Sequence, residues 1–176
     1  MGHTVLAVPV PALDEVVRER TAGYDASFVS ADPDFVHAHI TLLAPWAEQP
    51  TAGDLARVAH IAEMAGPAEV TLSRIGEFPN GVIYLYPEPD GHLRELASRL
   101  AAAFPQFPPY QGQYDEVVPH LTLDRRTTAV TPATVRASVG HLLPVTVVID
   151  RIDLQWWANH ACRRLHTWPL GQALPT

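Results

Sequence analysis

Two short segments of this 176-residue chain bring together the residue types needed for proton transfer beside a phosphate: His39-Ile40-Thr41-Leu42 and His120-Leu121-Thr122-Leu123. In a strand, residues two apart share a face, so His39 points with Thr41 and His120 with Thr122. The aliphatic residues between them point into the opposite layer. Each segment therefore offers one imidazole and one hydroxyl. An imidazole titrates near neutral pH, so one copy can accept a proton while the other donates one. Hydrolysis of a phosphodiester needs that pair, one to deprotonate the attacking water and one to protonate the leaving alkoxide. The two threonine hydroxyls can donate to the non-bridging oxygens. No metal or other cofactor is required by this chemistry, and none is expected.

The composition removes other chemistries. All twelve basic residues among Lys and Arg are arginine. Without lysine there is no P-loop of the Gly-Lys-Ser/Thr type and no lysine nucleophile. There is no Gly-x-Ser-x-Gly elbow. Cys162 is the sole cysteine, which excludes an internal disulfide and a cysteine-rich metal site. The formal charge of −7 argues against duplex nucleic acid as a partner. No apolar run approaches the roughly 20 residues of a membrane span, and the N-terminus does not read as a secretory signal. A cytoplasmic monomer is expected, folded as one domain over residues 1–176.

Several elements must position the two segments. Val5–Val10 reads as a strand and Ala12–Arg20 as a helix stopped at Gly23. His37–Leu43 reads as a strand, Asp54–Ala65 as a helix, and Glu69–Ile75 and Val82–Tyr86 as strands joined at Pro79-Asn80-Gly81. Gly91–Phe104 carries Leu93, Leu96, Leu100 and Phe104 as an apolar stripe, with Asp90 expected as its cap. Pro119–Asp124 reads as a strand and Thr131-Pro132 opens a helix. Val145–Ala158 and Arg163–Trp168 read as a final strand pair. The pattern repeats: strand, helix, long loop, His-x-Thr-Leu strand, helix, strand. Gly23 lies sixteen positions before His39, and Phe104 sixteen positions before His120. A duplicated unit predicts two lobes about a pseudo-twofold axis, with the motifs facing each other across a cleft.

The segments His39-Ile40-Thr41-Leu42-Leu43-Ala44-Pro45-Trp46, Pro108-Pro109-Tyr110 through Val118-Pro119-His120-Leu121-Thr122-Leu123, and Trp168-Pro169-Leu170-Gly171 resemble the two-histidine phosphoesterase superfamily, the 2′–5′ RNA ligase-like proteins. The resemblance covers nearly the whole chain. It implies a bilobal α+β fold with antiparallel sheets, helices outside, and a central cleft carrying the two motif strands. It also implies metal-independent chemistry on 2′,3′-cyclic or 2′–5′ phosphodiesters in nucleotides or short RNA. The family's histidines carry over to His39 and His120, and its phosphate-gripping hydroxyls to Thr41 and Thr122. Many relatives have Ala-Arg after the second motif. Here Asp124-Arg125 keeps the basic position but adds a carboxylate on the face of His120 and Thr122. Without a lysine, adenylate-driven joining is excluded, and hydrolysis is favoured in water.

Further substrate contacts are expected among His37, Tyr110, Tyr114, Arg125, Trp156 and Arg164. His37 lies two before His39. Tyr110 and Tyr114 sit on the loop before the second motif and can stack on a base. Trp156 and Trp157 point to opposite strand faces, so one of them lines the cleft; Arg163 and Arg164 alternate likewise. A His37/His39/His120 metal set is the weaker reading, because no carboxylate accompanies it. Two alternatives stay open: a nucleotide- or phosphate-binding module without turnover, and an enzyme for another small phosphodiester.

Overall fold

The two His-x-Thr-Leu segments lie side by side at the centre of one curled, wholly antiparallel sheet of eight strands in a computed structural model that describes residues 2–113 and 117–172. The strands are β1 (His3–Pro9), β2 (His39–Leu43), β3 (Ala68–Glu77), β4 (Val82–Glu88), β5 (Leu121–Arg125), β6 (Val145–Ile149), β7 (Arg151–Trp157) and β8 (Arg163–Pro169). Four α-helices accompany them: α1 (Asp14–Asp25), α2 (Ala52–Glu63), α3 (Gly91–Ala103) and α4 (Pro132–Val139). The sheet order is β6-β3-β4-β5-β2-β1-β7-β8. It divides at β5/β2 into two four-stranded halves, each with its motif strand innermost.

Those halves meet through one registered pair, Ile40 opposite Leu121. Extending the antiparallel register by one residue sets His39 across from Thr122 and Thr41 across from His120. Ile40 and Leu121 are fully buried, so their side chains define the core face. The imidazoles and hydroxyls take the other face.

The repeat is swapped as well as duplicated. α1 of the first repeat packs against β5 of the second, and α3 of the second packs against β2 of the first. The expected stripe Leu93, Leu96, Leu100 and Phe104 is buried in full, each large side chain contributing about 2 kcal/mol by removal from water. It joins Leu6, Val8, Ile40, Leu42, Ile83 and Leu85 in one continuous core.

Three local readings of the sequence change. Val145–Ala158 is two strands broken at Asp150: β6 sits at one edge of the sheet, while β7 lies in the other half beside β1. No Gly or Pro stands at the break, so the segment reads as one continuous strand. α1 continues past Gly23 to Asp25. Asp90 stands at the N-cap of α3 but makes no side-chain cap bond; its carboxylate accepts from Tyr86 Oη (2.6 Å) and from the Arg94 guanidinium instead. Among the described residues, no helix is long and apolar enough to cross a membrane.

Candidate active site

His39 opens β2 and His120 directly precedes β5, and their rings are held in the same way. His39 Nδ1 lies 2.7 Å from the carbonyl oxygen of His37, and His120 Nδ1 lies 2.7 Å from that of Val118. A carbonyl only accepts, so both Nδ1 atoms must carry the proton. Each neutral ring is therefore the Nδ1–H tautomer. Nε2 remains as the atom that takes a proton, or gives one when the ring is charged.

Burial pushes the His39 imidazole down to about 4. The His37 carbonyl opposes this, and the neighbouring His120, His37 and His3 rings push it further down. His120 is also lowered by burial, against the pull of the Val118 carbonyl. Each ring has its own aromatic support. Trp157 lies 5.3 Å from His39 and is fixed edge-on to Phe35 at 4.9 Å. Its Nε1–H donates to Gln155 Oε1 (3.0 Å), while Gln155 Nε2 donates to the Val36 carbonyl (2.8 Å). His120 meets the edges of Phe78 (4.9 Å) and Tyr84 (5.5 Å), which stack on each other at 4.1 Å. Gly76 is required there, since a Cβ on it would come within 2.6 Å of Tyr84 Cζ.

A cleft of about 870 Å³ opens over the motif strands. His39, Thr41 and Thr122 line it, and His120 lies across the β2–β5 pair from Thr41. α1 forms one wall through Val17, Arg20, Thr21 and Tyr24, continued by Phe28 and Trp157. Tyr110, Gln111, Asp124 and Arg125 also line it. Tyr110 is tied to the first motif by its N–H, which donates to the Ala44 carbonyl (2.8 Å).

The expected secondary contacts separate into groups. Tyr110 and Arg125 line the cleft. His37 also lines it but is buried, and its Nε2 already accepts from the Ser30 N–H at 3.0 Å. Of the two tryptophans, Trp157 and not Trp156 faces the cleft; the β7–β8 register shifts between Leu154 and Gln155. Arg164 lies off the cleft, paired with Asp34 at 3.0 Å, while its N–H donates to Asp32. Tyr114 lies outside the described residues. Asp124 does not reach a histidine. It is bound by the Arg20 guanidinium from α1, and it accepts from the Arg125 N–H at 2.7 Å.

The sequence reading missed Arg20, Tyr24, Phe28 and Gln155, and of the tryptophan pair it singled out Trp156 instead of Trp157. Arg20, Phe28 and Gln155 meet partners far away in the chain, and α1 carries no local sign of which face meets β5. Among the described residues, no group of three or more His, Cys, Asp and Glu side chains converges to hold a metal. His37 cannot complete a set with His39 and His120 while the Ser30 N–H occupies its Nε2.

A model of the 2′-5′ RNA ligase superfamily matches residues 9–161. No curated protein gives a significant sequence match. Among solved structures, Escherichia coli LigT complexed with 3′-AMP is similar at 21% identity and TM-score 0.60, over 97% of this chain and 98% of that one. TT0787 of Thermus thermophilus is similar at 21% identity and TM-score 0.61, over 96% and 98%. A further crystallised phosphoesterase gives 20% identity and TM-score 0.58, over 97% and 98%. The motif pair, the swapped two-lobed sheet and the family match agree, and the chain belongs to the 2′-5′ RNA ligase superfamily of two-histidine phosphoesterases.

Proposed function

We propose that the protein hydrolyses 2′,3′-cyclic phosphate or 2′–5′ phosphodiester bonds in nucleotides or short RNA, with His39 and His120 as its general base and general acid. The observation that carries the reading is the matched pair of Nδ1–H···O=C bonds, which leaves each Nε2 to exchange protons beside a threonine hydroxyl. His39 is unprotonated at neutral pH, because burial holds it low, and it is the base. It takes the proton of the water that attacks phosphorus. As the phosphorus–oxygen bond breaks, the His120 imidazolium, a charged form that burial disfavours, passes its Nε2 proton to the leaving alkoxide. Proton exchange with solvent then resets both rings. Thr41 and Thr122 donate to the two non-bridging oxygens, where charge accumulates. No metal takes part in this scheme.

The cleft wall supports a nucleoside as the group carried by the phosphate. Tyr24, Phe28 and Trp157 give the cleft aromatic surface, with Trp157 beside His39, and such rings stack on bases without regard to sequence. Escherichia coli LigT has been crystallised with 3′-AMP and with phosphate, ligands of the size this cleft admits. Arg125 is exposed at the cleft, whereas Arg20 is engaged by Asp124, so cationic attraction is limited and a small, singly charged diester suits the site.

The test is a panel of nucleoside 2′,3′-cyclic phosphates and 2′–5′ dinucleotides in EDTA, with product regiochemistry read by phosphorus NMR. Turnover that is lost in His39→Ala and His120→Ala is expected. Tight binding of these ligands without turnover would instead make the cleft a binding module.

A further inference from the structure

Asp14, the first residue of α1, holds its carboxylate away from its own helix. Its Oδ1 accepts from the backbone N–H of His37 (2.5 Å) and of Ala38 (3.1 Å). The Ala38 N–H belongs to the same peptide unit as the His37 carbonyl. That carbonyl accepts the Nδ1–H of His39. One peptide plane is therefore gripped at both ends, by a carboxylate at its N–H and by an imidazole at its C=O.

We propose that Asp14 is a positioning residue for His39: it polarises the His37–Ala38 peptide, fixes the Nδ1–H tautomer and stabilises the imidazolium formed when His39 accepts a proton. Hydrogen bonds in a chain strengthen one another where the surroundings are of low dielectric. A negative charge at the N–H end pulls density toward the carbonyl oxygen and makes it a better acceptor. The arrangement does the work of a carboxylate placed directly on a histidine, with a peptide inserted between them.

The second motif lacks this device for a covalent reason. The carbonyl that accepts from His120 belongs to the Val118–Pro119 peptide, and proline has no N–H for a carboxylate to hold. Two rings matched in their first contact are thus unequal in the next. The inequality favours His39 as base and leaves His120, without that support, the readier donor.

The surrounding segment is built to keep the peptide still. The Ser30 N–H donates to His37 Nε2 (3.0 Å), and Ser30 Oγ donates to the Cys162 carbonyl (2.5 Å). His37 Nδ1 stands 3.7 Å from Asp14 Oδ1. Gln155 holds the Val36 carbonyl, one residue upstream. The Asp14 carboxyl stays below its ordinary range through its His37 and Ala38 contacts, although burial opposes this, so it is charged at neutral pH. The other titratable groups near His39 are the rings of His3, His37 and His120.

The inference rests on His39 being the base, but its primary test does not need turnover. Ring proton and nitrogen NMR of the full-length protein at neutral pH, with His39 assigned by its loss in His39→Gln, reads both Nδ1–H bonds. In the wild type the His39 Nδ1 proton is expected further downfield than that of His120. Asp14→Asn keeps an oxygen acceptor and removes the charge; it should move the His39 proton upfield and leave His120 in place. The same variant should lower kcat about tenfold with KM nearly unchanged, a share of what a general base supplies. Equal wild-type shifts at the two histidines, or an unmoved His39 signal in Asp14→Asn, would overturn the proposal. If Asp14→Asn does not fold, the wild-type comparison decides alone. Absent turnover with the NMR pattern intact would count against the proposed function and not against the Asp14 contact.

Discussion

His39 and His120 each lie 2.7 Å, through Nδ1, from the carbonyl of the residue two before them. The pseudo-twofold relation between the motifs therefore extends to hydrogen bonds, with the same tautomer imposed on both rings. From it follows an expectation for single variants. His39→Gln and His120→Gln should each reduce kcat by about 10²–10⁴, the usual worth of a positioned proton-transfer group, with a small effect on KM. Steady-state kinetics on a 2′,3′-cyclic nucleotide checks this.

The threonines should act differently. Thr41→Val and Thr122→Val remove a hydroxyl donor while keeping the branched shape. A lost donor to charge developing on phosphate costs about 10²-fold in rate. Phosphate and nucleoside monophosphate should also bind more weakly as competitive inhibitors. Unchanged inhibition constants in both variants would remove Thr41 and Thr122 from the phosphate site.

The depressed His39 makes stability depend on pH with a definite sign. Its imidazole falls from 6.5 in the unfolded chain to about 4 in the fold. Between those values the unfolded state binds the additional proton, so stability is full above about pH 6.5 and declines as pH falls toward 4. One such proton is worth up to about 1.4 kcal/mol per pH unit. His39→Gln should flatten this part of the Tm-against-pH curve. A wild-type curve that stays level from pH 7 to 4.5 would contradict the assignment.

Tyr24 is 71% exposed at the cleft wall, an unusual place for an aromatic ring that only packs. If it stacks on the base, Tyr24→Ala should raise KM about tenfold for a nucleoside cyclic phosphate, in keeping with one stacking contact. A base-free cyclic phosphate, such as that of glycerol, should show no change. An equal effect on both substrates would show that Tyr24 acts on the fold and not on the base.

Asp124 and Arg20 tie β5 to α1 beside the cleft, both largely buried. Asp124→Asn should free the guanidinium for anions. Tighter inhibition by inorganic phosphate is expected, with a stability loss of about 1–3 kcal/mol for the broken charged hydrogen bond. Calorimetric phosphate titration and thermal unfolding check the two effects.

The motif strands were legible in the sequence because their chemistry is local. Period-two alternation sets His39 with Thr41 and His120 with Thr122 whatever the rest of the chain does. The apolar stripe of α3 was legible for the same reason, at helical period. What escaped the sequence depends on distant partners. Asp14 reads as an ordinary acidic residue at a helix start until the turn before β2 folds against it. Trp157 rather than Trp156 faces the cleft, beside a register shift that alternation does not reveal. The break at Asp150 sends β6 and β7 to different halves of the sheet with no Gly or Pro to mark it. The repeat was legible as a pattern, but the exchange of α1 and α3 across it was not, since helical periodicity marks an apolar face and not the strand it meets.

The most direct measurement is hydrolysis of a nucleoside 2′,3′-cyclic phosphate in excess EDTA by the wild type and by the His39→Ala, His120→Ala double variant. Sustained turnover by the wild type and none by the double variant is the predicted result. Full activity in the double variant, or wild-type activity that appears only when a divalent metal is restored, would contradict two-histidine catalysis.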